Sequence, residues 1–227
     1  MKRLYGLLLV GGMLNAQQQD SLSIKKGEYR FQYRQLAAPI VLMATGVGIA
    51  TSEKRNFEVK ENQNFLAVGN YWEDYGQLAP HAAVYAFDWA GMQPKTDFWN
   101  RSAIMVKGEI IALASVTGFK YLFQKPRPDG SNQYGFPSGH TANAFAGATM
   151  LSVEYGYRYR WVPYVAYGTA TAVGVSRVVH QKHTWSDVIF GAGLGILSMK
   201  IAYWTHQYRW NKKEENLSSM DAILMKK

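Results

Sequence analysis

Six apolar segments, each of helical length, follow one another along this chain and are separated by shorter polar loops. They cover residues 36–52, 77–92, 102–123, 140–156, 161–179 and 185–204. Gly191, Gly193 and Gly195 would weaken an isolated helix, but such small residues let neighbouring helices approach closely in a bundle. The pattern therefore predicts an all-α bundle of about six helices.

The segment 161–179 also permits a strand. It carries several β-branched residues and no charge before Arg177, and periodicity does not separate short apolar strands from buried helices. Its neighbours have helical patterns and no strong hairpin signal accompanies it, so a helix is the expected structure.

The composition narrows the classes of partner. Hydrophobic residues make up 48% of the chain and charged residues 18%, while the formal net charge is +9. A basic balance suits an anionic membrane surface or an anionic substrate. The sequence shows no nucleic-acid-binding module, so no nucleic-acid partner is expected. The chain contains no cysteine, which excludes disulfides, cysteinyl zinc sites and thiol nucleophiles.

The first residues are typical of a secretory signal peptide. Met1-Lys2-Arg3 is a short basic start, residues 4–14 are apolar but too few to span a bilayer, and Ala16 precedes a polar run. We expect a signal peptide over residues 1–16, a lead-in segment over 17–35, a helical domain over 36–208 and a charged tail over 209–227.

Two arrangements relative to the membrane fit the sequence. No segment reaches about 18 uncharged apolar residues, and the mean hydropathy is −0.22. Basic residues such as Arg158 and Arg160 nevertheless gather between the fourth and fifth segments. By the positive-inside rule, this places the motif loops at the opposite helix ends on the periplasmic side. Six crossings after a cleaved signal peptide would instead turn those loops toward the cytoplasm. A periplasmic, membrane-associated bundle and an integral one therefore both remain open.

Three basic residues are candidates for binding a phosphate group. Lys120 and Arg127 are separated by six residues, and Arg177 follows Ser176 at the end of the fifth segment. Hydrolysis of a phosphate monoester needs positive charge around the equatorial oxygens, and a guanidinium can bind two of them at once. These cations can supply that charge without a metal. His180 and His183 have no matching carboxylate cluster, so no metal or other cofactor is expected.

The residues Pro137-Ser138-Gly139-His140 precede a predicted helix and would form a seat for an anion. Ser138 is a plausible N-cap whose hydroxyl adds a donor, and Gly139 lets the backbone approach the ligand. The N–H groups of the first helical turn point toward the same place. His140 lies in that turn, where it could protonate a leaving group.

His183 and Asp187 are four residues apart and would share one face of a helix. A carboxylate bonded to one ring nitrogen fixes the histidine tautomer and leaves the other nitrogen free to attack phosphorus. The product would be a phosphohistidine, which water then hydrolyses.

Each of these groups alone has an ordinary explanation. Lys-x6-Arg-Pro describes a basic helix end, Ser-Gly before a helix is commonly only a cap, and His183 with Asp187 could be a surface pair. All three in one chain, in loops that bracket apolar helices, favour a phosphatase.

In order and spacing, the three groups resemble the signature of the type 2 phosphatidic acid phosphatase (PAP2) superfamily, which includes the vanadium haloperoxidases. The matching positions are Lys120, Arg127, Pro128, Pro137, Ser138, Gly139, His140, Ser176, Arg177, His183 and Asp187. The resemblance covers residues 36–208 and is closest to bacterial envelope members. It implies a helical bundle with the site between helix ends. It also implies roles for eight residues: His183 as nucleophile, Asp187 as its orienting carboxylate, His140 as general acid, and Lys120, Arg127, Ser138, Gly139 and Arg177 as phosphate ligands.

The expected function is hydrolysis of lipid phosphates in the cell envelope, with the active site facing the periplasm. Phosphatidic acid, phosphatidylglycerol phosphate, polyprenyl pyrophosphate and lipid A phosphates are the candidate substrates, and the bilayer is the expected partner. Three alternatives remain: a soluble periplasmic acid phosphatase acting on small phosphate esters, a vanadate-dependent haloperoxidase, and a non-catalytic protein with a vestigial site.

Overall fold

The computed structural model describes residue 29 and residues 31–53 and 72–207. The predicted signal peptide, most of the lead-in segment and the charged tail lie outside these residues. The described part is all-α, as predicted. Six longer helices and one short one follow a 3-10 turn at Tyr33–Leu36. They are α1 (Ala37–Ser52), α2 (Trp72–Gly76), α3 (Ala79–Trp89), α4 (Phe98–Phe123), α5 (Gly139–Tyr155), α6 (Val162–Val179) and α7 (Trp185–Trp204).

The ambiguous segment 161–179 is the helix α6, and the strand alternative is wrong. The long helix α4 begins four residues earlier than the apolar pattern indicates. Asp97 caps it, because its carboxylate accepts hydrogen bonds from the backbone N–H groups of Trp99 and Asn100.

The core is built around α5 and α7, which pack directly against each other. α7 also contacts α1 and α4, while α5 also contacts α3, α4 and α6. Most residues of α5 and α7 are buried. The first turns of these two central helices, at Gly139 and Trp185, therefore lie next to predicted motif residues.

Glycines on α7 permit this close contact. A Cβ at Gly191 would lie 2.6 Å from the Ser138 carbonyl oxygen, and one at Gly195 would lie 2.0 Å from the Ala142 carbonyl oxygen. Both distances are far shorter than an ordinary contact, so any larger residue must push α7 away from α5. The prediction that these glycines serve helix packing is confirmed at both positions.

Three helical stretches are long and apolar enough to cross a membrane: Tyr33–Ser52, Phe98–Phe123 and Trp185–Trp204. The sequence showed no uninterrupted uncharged segment of sufficient length, but each of these stretches has an 18-residue window with at most two charged residues. Within the windows, α7 is 83% buried by the rest of the protein, whereas α1 and α4 are 17% and 22% buried. The outer helices therefore present wide apolar faces, with Ile40 and Val41 on α1 and Ile110 and Leu113 on α4 largely exposed.

Candidate active site

All eight predicted site residues lie at one end of the bundle. This end gathers the last turn of α4, the loop 124–138, the first turn of α5, the last turn of α6 and the start of α7. The predicted residues at these places are Lys120, Arg127, Ser138, Gly139, His140, Arg177, His183 and Asp187. The turn residues Arg158 and Arg160 lie at the opposite end, between α5 and α6.

The start of α5 is arranged as an anion seat. Ser138 is the N-cap, and its buried Oγ accepts hydrogen bonds from the Thr141 hydroxyl at 2.9 Å and the Thr141 backbone N–H at 3.5 Å. The hydroxyl hydrogen of Ser138 remains available to a ligand. A Cβ at Gly139 would meet only Val116, at an ordinary 3.6 Å. Packing within the protein therefore does not require a glycine at this position. The close approach of a ligand to the backbone would explain the glycine.

The three predicted cations converge beside this seat. Electrostatic interactions connect Arg127 with Lys120, Arg177 and His183. Lys120 donates from Nζ to the Tyr134 carbonyl at 2.6 Å. The Nε atoms of Arg127 and Arg177 are buried and have no hydrogen-bond partner in the described part of the chain. Because a buried unpaired donor is costly, these guanidinium groups are suited to an anionic ligand.

His183 lies just before α7, whose N-cap is Thr184, so it does not share a helical face with Asp187. The expectation of one shared helical face is wrong, because the helix begins at Trp185 and His183 precedes its N-cap. Asp187 lies in the first turn and closes a capping box with Thr184. His183 Nδ1 donates to the Gly135 carbonyl at 2.7 Å, while Asp187 Oδ2 is 3.6 Å away. A carbonyl only accepts, so this bond places hydrogen on Nδ1 and leaves Nε2 unprotonated in the neutral ring.

The electrostatic surroundings keep His183 neutral. Burial lowers the pKa of His183 below its ordinary value, and the positive charge of Arg127 lowers it further, although Asp187 opposes both effects. Only about 2% of the His183 surface is exposed. A neutral ring with a free Nε2 is the form that can act as a nucleophile.

His140 has an acidic partner that the sequence did not reveal. Its Nε2 hydrogen-bonds to Asp74 Oδ1 on α2 at 2.6 Å. Burial and the charge of Arg177 lower the pKa of His140, and the Asp74 carboxylate opposes this. The two histidines of the site are thus paired differently, one with a carboxylate and the other with a main-chain carbonyl.

Glu73, the neighbour of Asp74, anchors the end of α6. Its fully buried carboxylate accepts from Arg177 Nη1 at 3.1 Å and from Ser176 Oγ at 3.1 Å, and it lies 2.8 Å from His180 Nδ1. This accounts for Ser176, which the sequence placed in the motif without a role. The acidic pair Glu73-Asp74 was the available signal, but nothing near it in the sequence indicates a partner about a hundred residues away.

Lys125 also joins the site although the sequence did not single it out. Its Nζ contacts Asp187 Oδ1 at 2.9 Å and Glu53 Oε2 at 2.8 Å. Lys125 lies between Lys120 and Arg127 in the motif loop, and that position was the one hint available.

An apolar groove of about 610 Å³ extends from the site between α3, α4 and α5. We call it the α4–α5 groove. Gly139 and His140 lie at its site end, and Val106, Ile110 and Leu113 of α4 line its wall. Because these α4 residues are also more than half exposed, an apolar chain could enter the groove from the side.

Comparisons with known proteins identify a related family and similar proteins. Residues 103–211 match the family model described as the PAP2 superfamily. The chain is similar to a lipid A 1-phosphatase of Porphyromonas gingivalis, with 34% identity over 185 residues. That alignment covers 72% of this chain and 41% of the relative, so the chain spans about two fifths of that protein's length.

Among solved structures, the chain is similar to Aquifex aeolicus LpxE at 20% sequence identity. The superposition covers 62% of this chain and 88% of that one, with a TM-score of 0.47. The matched range 103–211 contains the positions of all eight predicted site residues. Residues 103–211 of this chain thus match the PAP2 superfamily, the family that the motifs resemble.

Proposed function

We propose that this protein is a metal-independent phosphatase that hydrolyses lipid phosphate monoesters through a phosphohistidine intermediate. One observation carries the proposal. Two buried guanidinium groups, those of Arg127 and Arg177, have Nε donors without a protein partner, and Arg127 interacts electrostatically with a histidine whose Nε2 is free. Such an arrangement suits an anion held against a nucleophile.

The proposed first step is attack by His183 Nε2 on phosphorus. The bond from phosphorus to the ester oxygen breaks, and His140 donates a proton to the departing alkoxide. Lys120, Arg127, Arg177, the Ser138 hydroxyl and the N–H groups at the start of α5 stabilise the charge on the equatorial oxygens. Covalent catalysis of this kind divides one difficult displacement into two easier ones.

In the second step, water attacks the phosphohistidine. His140, now neutral, accepts a proton from the water, and the bond between phosphorus and His183 Nε2 breaks to release inorganic phosphate. The Gly135 carbonyl keeps hydrogen on His183 Nδ1 through both steps, so Nε2 remains the reacting atom.

A lipid substrate is supported by the α4–α5 groove. Its aliphatic wall on α4 belongs to a helix that is long and apolar enough to cross a membrane, and its other end reaches His140. A lipid could therefore keep its acyl chain in apolar surroundings while its phosphate enters the site. The similarity to a lipid A 1-phosphatase makes lipid A phosphates the first substrates to test, followed by phosphatidic acid, phosphatidylglycerol phosphate and polyprenyl pyrophosphate.

The test is a phosphate-release panel with purified full-length protein in detergent and EDTA. It compares these four lipids with a small soluble ester, p-nitrophenyl phosphate. We expect turnover of at least one lipid at a higher kcat/KM than the soluble ester. His183→Ala should abolish release. His206→Ala, which removes a histidine bonded to Asn100 at the other end of the bundle, should retain it.

One outcome of this panel and one outcome of a trapping experiment would contradict the proposal. Release from the soluble ester alone would indicate a broad-specificity acid phosphatase instead. Rapid alkaline quenching with labelled substrate, which preserves an acid-labile phosphohistidine, should trap phosphate on His183, and phosphate found on any other residue would overturn the assigned roles.

We further propose that the protein is embedded in the bacterial envelope with its site on the periplasmic side. The motif loops lie at the end opposite to Arg158 and Arg160, which suits the positive-inside rule. The chain has no cysteine, so single introduced cysteines can report sidedness. In intact cells, a membrane-impermeant maleimide should label Ser131→Cys near the site and should not label Arg160→Cys. The reverse pattern would place the site in the cytoplasm.

A further inference from the structure

Lys125 is the centre of a polar network that includes Asp187. Its side chain is 18% exposed, and its Nζ makes four contacts of 2.8–2.9 Å. The acceptors are Glu53 Oε2, Thr184 Oγ1, Ser186 Oγ and Asp187 Oδ1. Lys125 therefore joins the motif loop to the start of α7 and to the end of α1.

This network divides the two oxygens of Asp187 between different partners. Oδ1 accepts from Lys125 at 2.9 Å, whereas Oδ2 accepts from the Thr184 backbone N–H at 2.7 Å and lies 3.6 Å from His183 Nδ1. Asp187 Oδ2 thus stays next to His183 Nδ1 without the shorter contact, which Nδ1 makes with the Gly135 carbonyl at 2.7 Å. A cation on Oδ1 also offsets part of the negative charge that His183 experiences.

Glu53 shares the same ammonium group. Its side chain is 23% exposed, and its Oε2 also accepts from Ser186 Oγ at 2.9 Å. One cation therefore stands between two carboxylates. Removing Glu53 would leave Asp187 as the one carboxylate bound to Lys125 in the described part of the chain, while removing Lys125 would strengthen the action of Asp187 on His183.

We propose that Lys125 and Glu53 are positioning residues that set how strongly Asp187 acts on His183. Lys125 binds Asp187 Oδ1 and offsets part of the negative charge that acts on the ring, and Glu53 limits this effect by sharing the same cation. The inference rests on the proposed function, because it concerns the basicity of the proposed nucleophile.

Opposite shifts in the titration of His183 provide the test. The charged groups that act on His183 are Asp187 and Arg127, while Lys120 also interacts with Asp187. Lys125→Met removes a positive charge from Asp187 and should therefore raise the His183 pKa. Glu53→Gln removes a negative charge and should lower the pKa. Nitrogen NMR of the five histidines in detergent micelles measures this, with His183→Ala identifying the signal.

The kinetic readout should move in parallel. The acid limb of kcat/KM against pH should shift upward in Lys125→Met and downward in Glu53→Gln. In Lys125→Met, kcat should fall by up to about 100-fold because the carboxylate is no longer held in place, with little change in KM. In an Asp187→Asn background, Lys125→Met should have a much smaller effect on the His183 pKa.

Lys107→Met is the matched control. Lys107 also donates from Nζ, to the Thr205 carbonyl at 2.9 Å, and it precedes Lys120 by 13 positions, which is roughly 20 Å along α4. It should leave both the His183 titration and kcat unchanged.

Shifts of the same sign, or no shift, in the two variants would overturn the inference. If Lys125→Met does not fold, Glu53→Gln still decides, because an unchanged or raised His183 pKa there contradicts the competition. The NMR titration does not depend on turnover. Opposite shifts in a protein that releases no phosphate would refute the proposed function and leave the positioning network supported.

Discussion

Gly191 offers a test of how helix packing positions the anion seat. A Cβ at this position would lie 2.6 Å from the Ser138 carbonyl oxygen, about 0.8 Å short of an ordinary contact of 3.4 Å. The obstacle is backbone rather than a flexible side chain. Gly191→Ala must therefore move the start of α5 away from α7, and with it the Ser138 seat relative to His183.

Two effects on stability oppose each other in Gly191→Ala. Alanine favours a helix over glycine by about 1 kcal/mol, but overpacking costs about 1–3 kcal/mol. We expect a net loss of about 1 kcal/mol, which lowers Tm by roughly 2–4 °C for a chain of this size. The catalytic effect should be larger, because a misplacement of about 1 Å can reduce the rate by about 100-fold.

Phosphate release and thermal unfolding in the same detergent measure both effects. Gly118→Ala on α4 is the matched control, because a Cβ there meets nothing within 4 Å and should stabilise the protein by about 0.5–1 kcal/mol with normal activity. If Gly191→Ala behaved like Gly118→Ala, the close approach of α5 and α7 would be wrong. If it were destabilised but fully active, Ser138 would not be coupled to catalysis.

Three further predictions concern the pH profile, His140 and Glu73. Because burial lowers the pKa of His183, the neutral form of the ring persists below pH 6.5. The value of kcat/KM should therefore decline only as the pH falls through that lowered pKa, and an acid limb centred above pH 6.5 would contradict this prediction. His140→Ala should slow release from alkyl phosphates by about 10²–10⁴-fold but affect p-nitrophenyl phosphate much less, since that leaving group needs little protonation. Equal losses on both substrates would argue against a general acid. Glu73→Gln weakens the hold on Arg177 and should raise KM about tenfold, measured by initial rates, while an unchanged KM would show that Arg177 needs no anchor.

Local patterns were sufficient to predict the helices and the residues that meet at one end of the bundle. Apolar segments of helical length became helices because each can bury a face only against another helix. The motif residues converge because they flank the neighbouring ends of successive helices. The start of α4 was missed because the apolar pattern begins later than its cap, although Asp97 was a readable signal.

The missing parts of the site depend on contacts between distant segments. Glu73 and Arg177 are 104 positions apart, and Lys125 and Glu53 are 72 apart. A single sequence does not indicate which distant charges become partners. The Gly135 carbonyl left no signal at all, because every residue has one and only the folded loop directs this oxygen toward His183.

The arrangement around His183 separates two tasks that a carboxylate often performs together. A histidine paired with an aspartate commonly depends on it for both tautomer and charge stabilisation. Here the Gly135 carbonyl, at 2.7 Å, holds the tautomer, while Asp187 caps α7 and shares its charge with Lys125. Because a neutral carbonyl raises ring basicity less than a carboxylate does, the ring stays unprotonated more readily in an acidic setting. The same carboxylate anchors the helix start, and its sharing with Lys125 limits how far it raises the His183 pKa.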